Sequence, residues 1–169
     1  TISDMTNEAQ RDLAGAFVFD HTTLIDERLE LAAGARVTHI SDIDKNVPTF
    51  EGSAVYNVPV VESRLHGSIA EGFRAPTLFE SQGRMADFNT GQVVEVGNRA
   101  LDVEEALTFD AGIEQPLLGE VLTLDVTYFQ IEADDTILFD YAGMTHLNSA
   151  GGKSRGVESS LLYHPKDWF

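Results

Sequence analysis

The sequence has no cysteine among its 169 residues, and basic residues are scarce. Without cysteine, the chain can form neither a disulfide framework nor a thiolate metal site. The 28 acidic residues outnumber the 11 lysines and arginines, so the formal net charge is −17. A charge of this sign and size argues against a nucleic-acid partner and against binding to an anionic membrane surface.

The sequence also lacks the residue spacings that catalysis or metal binding would need. Five histidines, at positions 21, 39, 66, 146 and 164, are widely scattered, and no two have a metal-ligand spacing. No serine occupies a Gly-x-Ser-x-Gly elbow. No apolar run approaches the ~18 residues of a transmembrane helix. We therefore expect neither an enzyme nor a bound cofactor.

What the sequence does have is alternation with a period of two. Around residue 67, Leu65, Gly67 and Ile69 fall on one side, whereas the residues between them are polar or small. This pattern is typical of a strand with one apolar face. It predicts seven strands of about the length that a tilted membrane-spanning strand needs, ~9–11 residues. The predicted strands are residues 13–20, 29–40, 49–59, 63–73, 106–114, 120–131 and 153–163.

The predicted connections differ in length. Residues 60–62 and 115–119 are short turns, whereas residues 77–105 and the segment up to residue 151 are long and irregular. Tight turns alternating with longer loops are typical of membrane β-barrels. The sequence therefore predicts an all-β fold, with about seven antiparallel strands in a meander forming one segment of a transmembrane β-barrel. A soluble antiparallel β-sandwich that acts as a binding module would also alternate, and it remains the alternative.

Four stretches, in order along the chain, resemble TonB-dependent outer-membrane receptors. Residues 72–80 (GFRAPTLFE) are similar to the segment in which a barrel strand of that family enters a loop. Residues 97–104 (GNRALDVE) resemble its Gly-Asn-Pro-x-Leu-x-Pro-Glu turn, although Arg99 and Val103 replace prolines. Residues 128–137 and 148–158 resemble the segments that leave the next strand and enter the last one.

The resemblance implies an outer-membrane receptor of a Gram-negative bacterium, surrounded by lipid, that takes up a ferric siderophore or a cobalamin. Such a receptor has about 22 strands around a plugged lumen, so residues 1–169 would form roughly a third of the wall as one partial barrel domain. The TonB energy-transducing protein acts in that family through a plug domain, which we expect to lie outside these residues. Residues 1–5 lack the basic and apolar regions of a signal peptide, so we expect an internal fragment. An outer-membrane adhesin or enzyme barrel is a further alternative.

The long connection of residues 77–105 is the candidate ligand site. A structureless loop of this length is uncommon unless it is functional or mobile. Arg74, at its entrance, could grip an anionic ligand through its planar guanidinium or form an ion pair with a carboxylate, and the ion pair is the favoured interpretation. The predicted ligand-contact residues are Arg74, Phe79, Arg84, Phe88, Asn89 and Arg99.

Two weaker features lie outside that loop. Asp42, Asp44 and Asn46 offer oxygen atoms at alternate positions, which makes them a weak calcium candidate. The central glycine and the distal glutamate of an EF-hand loop are missing, so a solvated acidic loop is the favoured interpretation. Aromatic residues near the end of the chain, among them Tyr163 and Trp168, suggest a girdle at a membrane interface.

Overall fold

The computed structural model describes residues 10–87, 90–118 and 121–164, and its main feature is one antiparallel sheet of seven strands. The sheet contains, in order, β1 (Leu13–Leu24), β2 (Leu29–Ile40), β3 (Lys45–Val58), β4 (Ser63–Arg74), β7 (Glu104–Leu117), β8 (Leu122–Asp134) and β11 (Gly152–Tyr163). This meander confirms the predicted fold class. Because the long strands share one sheet, they do not form the two packed layers of the β-sandwich alternative.

The remaining elements lie in the two long connections between the sheet strands. They are α1 (Leu78–Gln82), β5 (Arg84–Ala86), β6 (Val93–Glu95), β9 (Thr136–Asp140) and β10 (Thr145–Ser149). β5 pairs with β6, and β9 pairs with β10, each as a two-stranded hairpin. In the described parts of the chain, no helix is long and apolar enough to cross a membrane.

The register of the sheet separates an apolar face from a polar face. Residues directly opposite each other in an antiparallel pair point to the same side of the sheet. Leu65 lies opposite Ile113, which lies opposite Val126, so an apolar row crosses three strands. One residue further along, a charged row runs Arg64, Glu114, Asp125. The apolar face comprises residues such as Leu31, Phe50, Tyr56, Leu65, Ile69, Phe109, Ile113, Leu124, Val126, Val157 and Leu161.

The middle of the sheet is not covered by other parts of the chain. On strands inside the sheet, Leu65 and Ile69 of β4 and Ile113 of β7 are still 42%, 38% and 40% exposed on the apolar face. A water-soluble monomer rarely exposes an apolar surface that extends over a whole sheet. Such a sheet suits a wall with hydrocarbon on one side and a polar interior on the other.

The buried core lies instead at one end of the sheet. Ile40 and Val47, at the adjacent ends of β2 and β3, pack with Val103, and all three side chains are at most 3% exposed. We call residues 75–87 and 90–103 the first connection and residues 135–151 the second connection. Together they fold over this end of the sheet, and we call this unit the loop cap.

Pro48 lies inside β3, so the prediction of a loop over residues 41–48 is wrong. It sits opposite Val37 of β2. The pairing of β3 with β4 ends at Glu51 and Ala70, so at Pro48 the strand has a neighbour on one side only. Asn57 directs its N–H toward β2, where the carbonyl of Arg28 accepts it, so the alternate position of Pro48 has its nitrogen on the side without a neighbour. The missing N–H of proline therefore costs no ladder hydrogen bond, and only residues 41–44 form the turn.

Several other strands are longer than predicted for related reasons. Pro116 continues β7 because, beyond Glu114, β7 pairs with β8 alone. The predicted turn at residues 115–119 therefore starts only after Leu117. Near several strand ends the residues on both faces are polar. The sequence therefore does not alternate between apolar and polar residues there, and it does not indicate where the strand ends. The corrected ends are Leu24 for β1, Glu104 for β7, Asp134 for β8 and Gly152 for β11.

The two faces can be tested at neighbouring positions of β8. Leu124 lies on the apolar face opposite Leu161, whereas Asp125 lies on the polar face opposite Glu114. In the full-length protein in a bilayer, we expect Leu124→Arg to lower the free energy of unfolding by about 2–4 kcal/mol, because the guanidinium would enter hydrocarbon. Asp125→Arg should be much milder. Unfolding in bilayers of different thickness measures both costs, and equal costs would show that the faces are assigned wrongly.

Candidate functional site

Arg74, the last residue of β4, connects the loop cap to the seven-stranded sheet, which we call the wall. Its Nε and Nη2 donate to the two carboxylate oxygens of Glu104 over 2.5 and 2.8 Å. Its Nη1 and Nη2 also donate to Glu80 of α1, over 3.0 and 3.2 Å. Planar, bidentate pairs of this kind fix orientation as well as charge. The ion-pair interpretation of Arg74 therefore describes the structure, and ligand contact by Arg74 stays a prediction.

Helix α1 is short, and side-chain hydrogen bonds hold its first turn. The Oγ1 atom of Thr77 accepts from the backbone N–H of Glu80 over 3.2 Å, and Oε2 of Glu80 accepts from the N–H of Thr77 over 2.6 Å. This reciprocal arrangement is a capping box. Glu80 thus stabilises the helix start and pairs with Arg74 at the same time.

The same contacts set the ionisation of Glu80. Burial alone would raise the pKa of Glu80, but the hydrogen bonds from Arg74 and Thr77 outweigh it and hold the pKa below its ordinary value of 4.5. A carboxylate whose pKa is depressed by folding stabilises the folded state above its unfolded pKa. That stabilisation is lost as the pH falls through the lowered pKa.

The rest of the first connection folds back on α1. The carbonyl of Gly83 accepts from the N–H groups of Val96 and Gly97, each over 2.9 Å. Gly97 approaches the helix so closely that a Cβ there would lie 2.5 Å from the backbone nitrogen of Gln82. The prediction that residues 77–105 form a structureless loop is therefore wrong. The elements have three to five residues each, too few for a period to show in the sequence.

The second connection packs directly on the first. Nδ2 of Asn98 donates to the carbonyl of His146 over 2.9 Å. Oδ1 of Asn148 accepts from the N–H of Asp102 over 2.7 Å. The N–H of Ile137 donates to Glu104 over 2.7 Å, so the carboxylate that binds Arg74 also holds β9. Both connections therefore meet at the base of the loop cap.

His146 is the centre of a small aromatic cluster inside the loop cap. The residue is 7% exposed, and its Nδ1 lies 3.0 Å from the carbonyl oxygen of Val96. The rings of Phe79 and Phe139 meet the imidazole edge-on, with centroids 5.8 and 4.9 Å away. A buried ring with these partners stabilises the packing of the cap.

The structure brings three of the predicted ligand-contact residues into the loop cap. Phe79 lies on α1 and is 52% exposed. Arg84 begins β5 and Arg99 follows Asn98, and both side chains are exposed. Arg74 lies apart from them at the base. Phe88 and Asn89 are outside the described residues.

Asp42, one of the three residues of the calcium candidate, has its carboxylate bound by Arg11. Nε and Nη2 of Arg11 donate to its two oxygens, each over 2.6 Å, and these bonds lower the pKa of Asp42 although burial opposes them. The Oδ1 of Asn46 lies 3.1 Å from the Nδ1 of His39. Within residues 10–87, 90–118 and 121–164, no three His, Asp or Glu residues form a group that could hold a metal ion. A calcium ion at Asp42, Asp44 and Asn46 stays a prediction.

The aromatic girdle is described only in part. Tyr163, the last residue of β11, is on the apolar face and is 62% exposed. Trp168 and Phe169 lie outside the described residues.

A cluster of polar side chains around His66 lies on the polar face of the wall. Nε2 of His66 is 3.3 Å from Oδ2 of Asp125, and its Nδ1 is 4.0 Å from Oδ1 of Asp110. Thr127 donates to Asp125 over 3.0 Å. At Gly112, beneath the imidazole, a Cβ would lie 2.6 Å from two of its ring atoms. The cluster links β4, β7 and β8, and glycine at this position makes room for it.

Five residues that help to build the loop cap were not among the predicted site residues. Thr77-x-x-Glu80 is readable as a capping box. The pair of Arg74 with Glu104 and the hydrogen bonds between the two connections join residues 30 to 50 positions apart, so no local pattern reveals them. The residues missed are Glu80, Asn98, Glu104, His146 and Asn148.

Comparison with known proteins identifies similar barrels. The family model "TonB dependent receptor-like, beta-barrel" matches residues 2–169. No curated protein matches the chain significantly. The siderophore receptor PirA from Pseudomonas aeruginosa superposes with a TM-score of 0.75 at 20% identity, over 93% of this chain and 32% of that chain.

Two further receptors have similar structures. The hemophore receptor HasR of Serratia marcescens, solved with its hemophore HasA and heme, has a TM-score of 0.72 at 15% identity, over 92% of this chain and 32% of that one. The ferric enterobactin receptor PfeA from Pseudomonas aeruginosa, solved as a mutant, has a TM-score of 0.70 at 17% identity. The match covers 88% of this chain and 24% of that one. At these identities the likeness shows the fold, and the chain spans a third or less of each structure.

Replacing Arg74 tests its role at the base of the loop cap. Arg74→Ala leaves Glu80 and Glu104 facing each other without their common partner. We expect the free energy of local opening of the cap to fall by about 1–2 kcal/mol, since the lost bonds are charged but the side chain is 44% exposed. Hydrogen exchange of residues 77–83 measures it, with Arg99→Ala as the exposed control in the same connection. Equal exchange in both variants would contradict this role.

The lowered pKa of Glu80 predicts a pH-dependent stability of α1. Hydrogen-exchange protection of residues 78–82, corrected for the intrinsic pH dependence, should fall as the pH drops below 4.5 through the lowered pKa. Glu80→Gln should have lower protection at neutral pH and lack this part of the pH profile. Glu95→Gln, at an exposed site on β6, should behave like the wild type. An unchanged profile in Glu80→Gln would assign the transition to another group.

Proposed function

The chain belongs to the TonB-dependent receptor β-barrel family, and we propose that it forms about a third of the barrel wall of an outer-membrane receptor in a Gram-negative bacterium. The match of the family over residues 2–169 is the observation that carries this proposal. Seven strands are roughly a third of the ~22 of such a barrel. The family and the matched structures are transport receptors and not enzymes. The plug domain and the remaining strands lie outside these residues.

In this proposal the two faces of the sheet meet different surroundings. The apolar face contacts the lipid of the outer membrane, where exposed residues such as Val157 and Leu161 lose contact with water. The polar face, which includes His66 and Asp110, looks into the lumen and toward the plug domain. The TonB energy-transducing protein is the partner that acts through that domain.

A ferric siderophore is the ligand that we propose for the loop cap. Arg84 and Arg99 are exposed cationic groups in a chain with a net charge of −17, and Phe79 of the same connection has a half-exposed ring. Ferric catecholate complexes are anionic and aromatic, so they can use both kinds of group. Cobalamin offers the arginines less negative charge and is the weaker alternative. Arg74, Phe88 and Asn89 are further candidates for contact.

An uptake assay with the full-length receptor tests the function. The receptor gene is expressed in a Gram-negative strain that lacks its own receptors for the probes, with and without the TonB protein. The probes are an iron-55-loaded catecholate siderophore, haemin and cyanocobalamin. We expect TonB-dependent uptake of the ferric siderophore. Uptake of haemin or cyanocobalamin alone would keep the receptor function but change the ligand, and no TonB-dependent uptake of any probe would contradict the proposal.

Removing the two exposed arginines tests the proposed ligand site. Arg84→Ala and Arg99→Ala should each weaken binding of the ferric catecholate about tenfold, because each removes a charge-assisted contact of about 1.5 kcal/mol. Arg28→Ala, in a short turn at the opposite end of the wall, is the matched control. Titration of the purified receptors by quenching of intrinsic fluorescence gives the affinities. Equal affinity in all three variants would place the ligand elsewhere.

A further inference from the structure

We propose that the β9–β10 hairpin is a positioning element for the first connection, and that the two connections open and close as one body. Asn148 is the main positioning residue in this proposal. This inference rests on the proposed function in one respect only, which is that the first connection carries the candidate ligand contacts Phe79, Arg84 and Arg99. The mechanical coupling itself rests on contacts that need no ligand.

Asn148 binds the first connection as a strand neighbour would. Its Oδ1 accepts from the N–H of Asp102 over 2.7 Å, and its Nδ2 donates to the carbonyl of the same residue over 3.2 Å. The same Nδ2 also donates to the carbonyl of Asp135 over 2.7 Å, where the second connection leaves β8. One amide side chain thus satisfies both backbone groups of Asp102, which belongs to a segment without a strand partner of its own.

Asn98 forms the corresponding link in the opposite direction. Its Nδ2 donates to the carbonyl of His146, while its Oδ1 accepts from the N–H of Ala100 over 2.9 Å and shapes its own turn. The Nδ1 of His146 lies 3.0 Å from the carbonyl of Val96. Among the described residues, hydrogen bonds therefore cross between the connections at three separate places, near residues 96, 98 and 102.

Apolar packing closes the same interface. Val96 has no exposed surface, and its carbonyl oxygen lies against the ring of His146. Phe79 of α1 and Phe139 of β9 both contact the ring of His146. If the hairpin moved away alone, the buried imidazole and Val96 would lose their cover, and the backbone groups of Asp102 would lose their partners.

The two connections also share one anchor on the wall. Glu104 of β7 accepts from Arg74, which holds α1, and from the N–H of Ile137, which lies in β9. Opening of either connection therefore disturbs the same carboxylate. If one connection opened alone, the hydrogen bonds at the interface and the bonds to the shared carboxylate would both break, whereas a joint opening keeps the interface intact. A single opening of both connections therefore costs less than two separate ones. A ligand that binds the first connection is then coupled to a hairpin that it does not touch.

Hydrogen exchange of the ligand-free, full-length receptor in detergent micelles tests the coupling. In Asn148→Ala, we expect the amides of residues 93–101, which do not bond to Asn148 themselves, to exchange about tenfold faster or more, because a hydrogen-bonded interface opens more often. In Asn98→Ala, the amides of residues 136–149 should accelerate reciprocally. A purely local role of either asparagine would leave the distant segment unchanged. Leu138→Ala is the control, since Leu138 lies on the same hairpin and is 51% exposed.

Acceleration confined to the segment that carries the substitution would overturn the proposal and show two independent loops. Acceleration by Leu138→Ala as large as that by Asn148→Ala would overturn it as well. Heat-resistant migration of the folded barrel in gels verifies that each variant folds. If Asn148→Ala does not fold, the effect of Asn98→Ala on residues 136–149 decides alone. No ligand is present, so a failure of the uptake assay and a failure of the coupling are separate results.

Discussion

The antiparallel register of the seven strands is the constraint on which the structure depends. It places Leu65 opposite Ile113 and, one residue away, Arg64 opposite Glu114. A slip of a single residue between two strands would put charged side chains among apolar ones on both faces. One face favours apolar side chains and the other favours polar ones, so a wrong register costs free energy on both faces. The wall thus keeps one pairing although almost none of its middle is buried by other parts of the chain.

The polar face shows how the same register shapes the interior of the proposed barrel. Glycines lie beside or beneath large side chains on that face, as Gly112 does under His66 and Gly34 does next to Glu51. The large groups can then lie along the sheet and pair with neighbouring strands instead of projecting. A wall of this kind leaves the space in front of it free for the plug domain that we propose to fill it.

The loop cap depends on the wall for its order. Helix α1 has five residues, and isolated helices of that length are not stable in water. It persists because Glu80 is held by Arg74, which projects from β4 beside its partner Glu104 on β7. The first connection, which carries Phe79, Arg84 and Arg99, therefore takes this form only when β4 and β7 are paired. Folding of the wall and assembly of the proposed ligand site are coupled in this way.

The sequence by itself determined where the sheet strands lie and the two faces of most of them, because a period of two and the apolar contrast between faces are local properties. β1 is the exception, since Phe17 and Phe19 lie opposite Arg36 and Gly34 of the polar face. Leu124 and Asp125 could be assigned to opposite sides on that ground alone. The tertiary structure decided the strand ends and the whole of the loop cap. The place of Pro48 depends on which strand lies beside it, and the link from Asn98 to His146 joins residues 48 positions apart. Contacts between residues so far apart in sequence produce no periodic pattern, because the two partners come close to each other only when the chain folds.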